Sequence, residues 1–171
     1  MNTTLFLIGA RASGKTTIGK ALAKALNYTF VDCDAYLLES TGKSVAEIVT
    51  EKGWDGFRRQ ESEILKEVTQ PKRVIATGGG IVLTESNREF MRKNGTVIFL
   101  SVPAARLAER LTLDPKQAQR PSLTGQPINI EIENILKERL PLYSSASHYA
   151  VDADKNSDEI ISNIKQLLEK K

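Results

Sequence analysis

Residues Gly9-Ala10-Arg11-Ala12-Ser13-Gly14-Lys15-Thr16 satisfy the pattern G-x-x-x-x-G-K-[ST], and they follow the apolar run Leu5 to Ile8 directly. This pattern demands a strand that runs into a glycine-rich turn, and a helix whose first amide groups face that turn. A triphosphate needs several backbone N–H groups converging on it, and a turn of this kind supplies them. Gly9 and Gly14 permit the backbone. Lys15 reaches the β- and γ-phosphates, the Thr16 hydroxyl is placed to ligate Mg²⁺, and Thr17 extends the helix start. The candidate ATP-binding residues here are therefore Ala12, Ser13, Gly14, Lys15, Thr16 and Thr17. Ala12 occupies a position where glycine is common, so its backbone is less free than usual. A glycine-rich turn that merely joins strand to helix is the alternative reading.

Further apolar runs of strand length occur around Phe30 and Val31, at Val74 to Ala76, at Val97 to Leu100 and at Tyr149 to Val151. They are continuous rather than alternating, as expected of strands buried on both faces. Between them the spacing is helical, as in Ile18, Leu22, Ala25 and Leu26, with further helices over 35–40, 45–69, 86–93, 104–113, 130–145 and 158–169. Gly53 breaks the second of these in two, and Pro141 should bend or end the helix that carries Arg139. Repeated β-α units give an α/β fold, a parallel sheet covered by helices. Thr112 to Gln126 is polar, holds Pro115, Pro121 and Gly125, and reads as a long mobile loop of the kind that forms lids.

With 171 residues, 40% of them hydrophobic, the chain is expected to form one domain spanning 1–171. No run approaches the roughly 18 apolar residues of a membrane span, and no signal-peptide pattern opens the chain, so a cytoplasmic location is expected. One cysteine and one histidine exclude a disulfide framework and a zinc cluster. The net charge of +3 is dispersed among acidic residues, and aromatics are only 6%, which argues against a nucleic-acid partner.

Asp32 and Asp34 lie at i and i+2 after the second apolar run and share one side if the strand continues that far. Paired acids opposite a phosphate-binding loop point to magnesium and a polar ligand, although a helix N-cap also explains Asp34. Gly78-Gly79-Gly80 ends the third strand, where three glycines let backbone N–H groups approach a ligand; a bare tight turn is the duller alternative. Arg58 and Arg139, taken alone, read as surface charge.

Taken together, Gly9 to Gly19, Asp32-x-Asp34, Gly56-Phe57-Arg58-x-x-Glu61, Ala76-Thr77-Gly78-Gly79-Gly80, Arg120-Pro121 and Glu138-Arg139-x-x-x-Tyr143 make the chain resemble the shikimate kinases over nearly its whole length. The resemblance implies the fold of the nucleoside monophosphate kinase type, with a five-stranded parallel sheet in order 2-3-1-4-5, two moving flaps and a monomeric state. It implies ATP and shikimate as substrates, transfer to the 3-hydroxyl, and Mg²⁺ as cofactor. Asp32 would hold Mg²⁺, and Asp34 would accept hydrogen bonds from the acceptor hydroxyls and act as base. Arg58 and Arg139 would grip the acceptor carboxylate beside Gly78, Gly79 and Gly80. Arg120, in the lid, would stabilise charge on the transferring group. The guanidinium fork suits a planar carboxylate, which gives the assignment a physical basis.

A gluconate kinase of similar build is the nearest rival, and a nucleotide-dependent switch is the rival from another class; the absence of Asn-Lys-x-Asp argues against the second. Cys33 lies between two carboxylates that would raise its pKa, and reads as filler. His148 reads as structural, and Trp54 and Phe57 as packing near the acceptor pocket.

Overall fold

The computed structural model describes residues 3–113 and 124–170. Its centre is built from the apolar runs: β1 (Leu5–Ile8), β2 (Thr29–Asp32), β3 (Arg73–Ala76), β4 (Thr96–Ser101) and β5 (Tyr149–Asp152) form one parallel sheet in the order β2-β3-β1-β4-β5. β1 is flanked by β3 and β4, with Leu5 opposite both Val74 and Thr96. All four residues of β1 are fully buried, because helices cover both faces.

Alternation along the strands divides the core. Phe6 and Ile8 face α2 (Cys33–Thr41), α3 (Val45–Val68), α4 (Glu85–Asn94) and α6 (Ile128–Ala146), among Ile48, Leu65, Met91 and Tyr143. Leu5 and Leu7 face α1 (Lys15–Leu26), α5 (Ala104–Leu113) and α7 (Ser157–Glu169), among Leu22, Leu107 and Ile164. In such a sheet the crevice opens where loops leave the carboxyl ends of neighbouring strands toward opposite faces, here at β1 and β3.

The expected elements occur with ends moved by a residue or two, and one short 3₁₀ turn, Ile81–Leu83, is additional. Gly53 has φ 71° and ψ 176°, so α3 is two helical segments joined at that residue, as its glycine predicted. Pro141 does not end its helix: α6 runs through it to Ala146. The proline removes one backbone donor, and packing of Tyr143 and Ala146 in the core holds the following turn in place. Of the loop expected over 112–126, Thr112 and Leu113 belong to α5, and Thr124–Gln126 is a bend before α6. Residues 114–123, and Arg120 among them, lie outside the described residues.

His148 just precedes β5, where its backbone N–H donates to Val97 O at 2.8 Å and its Nδ1 accepts from Val97 N–H at 2.9 Å. It is structural, as expected.

Candidate active site

β1 ends at Ile8 and the chain turns through Gly9–Gly14 into α1. Gly14 caps α1 in a left-handed conformation and offers no side chain, so the first amide groups of the helix have no intrahelical acceptor and face the groove in front of the turn. Ala12 also lies in the left-handed region, at φ 67°, in the backbone shape for which glycine would be the unstrained residue. Arg110 of α5 braces that strained point, its Nη1 donating to Ala12 O at 3.0 Å. Lys15 is buried and its Nζ donates to Gly9 O at 2.7 Å and Ala10 O at 3.0 Å, so its charge sits inside the curl of the loop. Ser13 Oγ is buried without a hydrogen-bond partner.

Thr16 Oγ1 donates to Asp32 Oδ2 at 2.7 Å, which ties the start of α1 to the end of β2. The strand stops at Asp32 and α2 begins at Cys33, so Asp32 and Asp34 are not two residues of one strand face. Asp32, rather than Asp34, is the N-cap: its Oδ1 accepts from Asp34 N–H at 2.9 Å and Ala35 N–H at 3.2 Å. Asp34 is thereby left in the first turn of α2, where it lines both of the clefts that meet here. Cys33 between them is buried, and burial first, then the charges of Asp32 and Glu61, push its thiol far above the ordinary range. It is inert filler.

Two clefts meet at this point. The first, a nucleotide-sized groove, runs past Gly14–Thr17, Asp32, Arg110 and Lys155. The second is lined by Trp54, Phe57, Arg58, Glu61, Arg139 and Tyr143. Arg11, Asp34, Val45, Gly78 and Gly79 belong to both.

The second cleft is organised around Arg58. Its Nη1 pairs with Glu61 Oε1 at 3.0 Å, one helical turn along α3. Its guanidinium carbon lies 5.3 Å from the Trp54 ring centre and 5.1 Å from that of Phe57, and the two rings stand at 81° to one another. The cation is thus held by a carboxylate and two aromatic faces, a preorganised fork. A Cβ at Gly80 would collide with that guanidinium, and one at Gly78 would stand 2.7 Å from Glu61 Oε2. The two glycines leave room for the Arg58 and Glu61 side chains. Glu61 Oε2 is buried and has no hydrogen-bond partner. Burial raises the Glu61 pKa, against the opposing pull of Arg58 and, more weakly, Arg139.

Arg139 comes to the same cleft from α6, one turn before Tyr143, near enough for its charge to act on the phenol. Tyr143 in turn donates to Gly79 O at 2.6 Å and stacks on Phe99, 4.9 Å between ring centres. Burial raises its pKa, with Arg139 opposing, so the phenol stays a donor.

Every candidate residue within the described chain therefore gathers at one crevice: Ala12 to Thr17, Asp32, Asp34, Arg58, Gly78 to Gly80 and Arg139. The roles of Glu61 and Tyr143 escaped the sequence reading, although Arg58–Glu61 at i,i+3 and Arg139–Tyr143 at i,i+4 are the spacings at which helical side chains meet. Arg11, Arg110 and Glu131 had no signal beyond their charge.

The family model for shikimate kinase matches residues 11–169. Shikimate kinase 2 of Syntrophotalea carbinolica is 54% identical over 170 residues, covering 99% of each chain. Among solved structures, a shikimate kinase from Acinetobacter baumannii in complex with shikimate superposes with a TM-score of 0.93 at 31% identity, covering 99% of this chain and 94% of that one. A gluconokinase from Sinorhizobium meliloti gives 0.57 at 20% identity, covering 99% and 95%, which shows a shared fold alone. On the length and identity of these matches, the chain belongs to the shikimate kinase family.

Proposed function

We propose that the protein is a shikimate kinase, one kinase domain that transfers the γ-phosphoryl group of ATP to the 3-hydroxyl of shikimate, giving shikimate 3-phosphate and ADP on the route to chorismate and the aromatic amino acids. The observation that carries this reading is the junction of the two clefts at Asp34, Gly78 and Gly79. Only there can a phosphoryl donor in one cleft face an acceptor in the other.

The triphosphate lies against the amides of the turn at Ala12, Ser13 and Gly14 and the first amides of α1, as far as Thr16 and Thr17, and Lys15 exchanges its loop carbonyls for phosphate oxygens. Shikimate enters carboxylate first, where Arg58 and Arg139 clamp it. Asp34 then accepts a hydrogen bond from the 3-hydroxyl, turns a lone pair toward phosphorus, and takes the proton late. Glu61 holds Arg58 in place, and Tyr143 stands beside Arg139. Catalysis is positioning plus stabilisation of charge that moves from the γ-phosphoryl to the β-phosphate oxygen. Arg120 joins this charge stabilisation from the lid, which excludes water as a competing acceptor.

Magnesium fits the residues present. Thr16 and Asp32 offer hard oxygen donors at the phosphate end of the groove, and the described residues hold no cluster of three acidic, histidine or cysteine side chains. A short donor set of this kind matches an ion that shares its coordination with substrate phosphates. When bound, Mg²⁺ neutralises charge on the β- and γ-phosphates. The proposed enzyme acts as a monomer in the cytoplasm, as the family resemblance implies; no described helix is long and apolar enough to cross a membrane.

Asp34→Asn tests the central role. It keeps size and polarity but removes the proton acceptor, so kcat should fall by about 10²- to 10⁴-fold while KM for ATP stays near the wild-type value. An Asp34→Asn enzyme with normal kcat would refute it.

A further inference from the structure

Glu131 is a buried carboxylate, 5% exposed, for which the phosphoryl transfer above has no use. It lies in the first turn of α6, and the cap position of that helix, Pro127, makes no side-chain capping bond. A helix start without a cap frays, because its first amide groups lack partners. Here the fraying end would be the wall of the acceptor cleft: Glu131, Ile135 and Arg139 recur every four residues along one face of α6 and all line that cleft.

What fixes this end of α6 is a set of side-chain bonds to the bend before it. Glu131 Oε1 accepts from Thr124 N–H at 2.8 Å and from Thr124 Oγ1 at 3.0 Å. Thr124 Oγ1 accepts in turn from Gln126 N–H at 3.2 Å, and Gln126 Oε1 accepts from Asn134 Nδ2 at 3.2 Å. Bend and helix are thereby laced together at both Glu131 and Asn134. A charged acceptor makes bonds roughly twice as strong as a neutral one, which gives a physical reason for a carboxylate at a place that an anionic substrate would rather find uncharged.

We propose that Glu131 is a positioning residue for the acceptor: through Thr124 it fixes the first turns of α6, and so sets the cleft wall that faces shikimate and the aim of Arg139. The inference rests on the shikimate kinase reading and adds to it a residue that acts through another.

Thr124 makes a clean test, since it is exposed and lines neither of the two clefts. Thr124→Val removes the hydroxyl and keeps the shape. It should raise KM for shikimate about five- to tenfold, with kcat and KM for ATP changed less than about twofold. Glu131→Met, which leaves Thr124 no acceptor, should act in the same direction, the double variant should be no worse than Glu131→Met alone, and Thr124→Ser should restore the wild-type value. A fall in melting temperature with KM for shikimate unchanged would overturn the proposal, as would additive effects in the double variant. Wild-type turnover of shikimate in the same assay separates the two levels: its absence sinks the parent reading, whereas normal wild-type turnover with an unaffected Thr124→Val sinks only the tie.

Discussion

At Glu61 two demands pull in opposite directions. The carboxylate must be ionised to hold Arg58, yet it is buried and one of its oxygens has no partner, so its pKa is raised. In the unfolded chain the same group titrates near about 4.3. Because the folded value is the higher one, protonated Glu61 favours the fold; that contribution is complete below the unfolded value and is lost as pH rises through the folded one. Wild-type stability should therefore decline relative to Glu61→Gln across that window, seen as converging or crossing urea midpoints at successive pH values. Parallel midpoints would show that burial does not govern Glu61. Arg58→Ala removes the clamp and leaves Glu61 unpaired, so KM for shikimate should rise about a hundredfold or more, near 3 kcal/mol, with KM for ATP little changed. Equal losses for both substrates would place Arg58 outside acceptor binding. Tyr143→Phe leaves Gly79 O without its donor and should cost about 1–2 kcal/mol in chemical denaturation.

One element carries a backbone conformation that substitution can expose. Gly53 joins the halves of α3 at φ 71° and ψ 176°, a region in which only glycine is at ease, and the space around it is open. Gly53→Ala should cost about 1–3 kcal/mol through backbone conformation alone, measured as a shift in unfolding midpoint; an unchanged midpoint would mean that the joint is not held at that conformation. The residue pattern predicted this break, because glycine inside a helical repeat is a local signal. It predicted the phosphate-binding turn and the five strands for the same reason: their chemistry is written in neighbouring residues. The start of α2 was less legible. Whether a strand runs on through Asp34 or yields to a helix at Cys33 depends on Asp32 turning its side chain onto two backbone amides, and both outcomes suit an Asp-x-Asp run. Pro141, read as bending or ending its helix, does not end it, for the opposite reason. Its local effect is to stop a helix, while the packing of Tyr143 and Ala146 that overrides it is tertiary.

Across the whole molecule, the sheet order brings the turn after β1, the glycines after β3 and the start of α2 to one crevice. The arrival of the two arginines there was legible only through family resemblance, since nothing local relates Arg58 on α3 to Arg139 on α6. The partnerships inside the cleft, Arg58 with Glu61 and Arg139 with Tyr143, emerge from packing. On the proposed reading, phosphoryl transfer waits for an acceptor that offers a carboxylate to the two arginines and, at the fixed spacing of a rigid ring, a hydroxyl to Asp34, which open-chain gluconate does not. The most direct test is ADP release by the wild-type protein with ATP and Mg²⁺, measured with shikimate, with gluconate and with no acceptor. ADP should form with shikimate, mole for mole with shikimate 3-phosphate, and only at background level otherwise; equal release in all three would contradict the account.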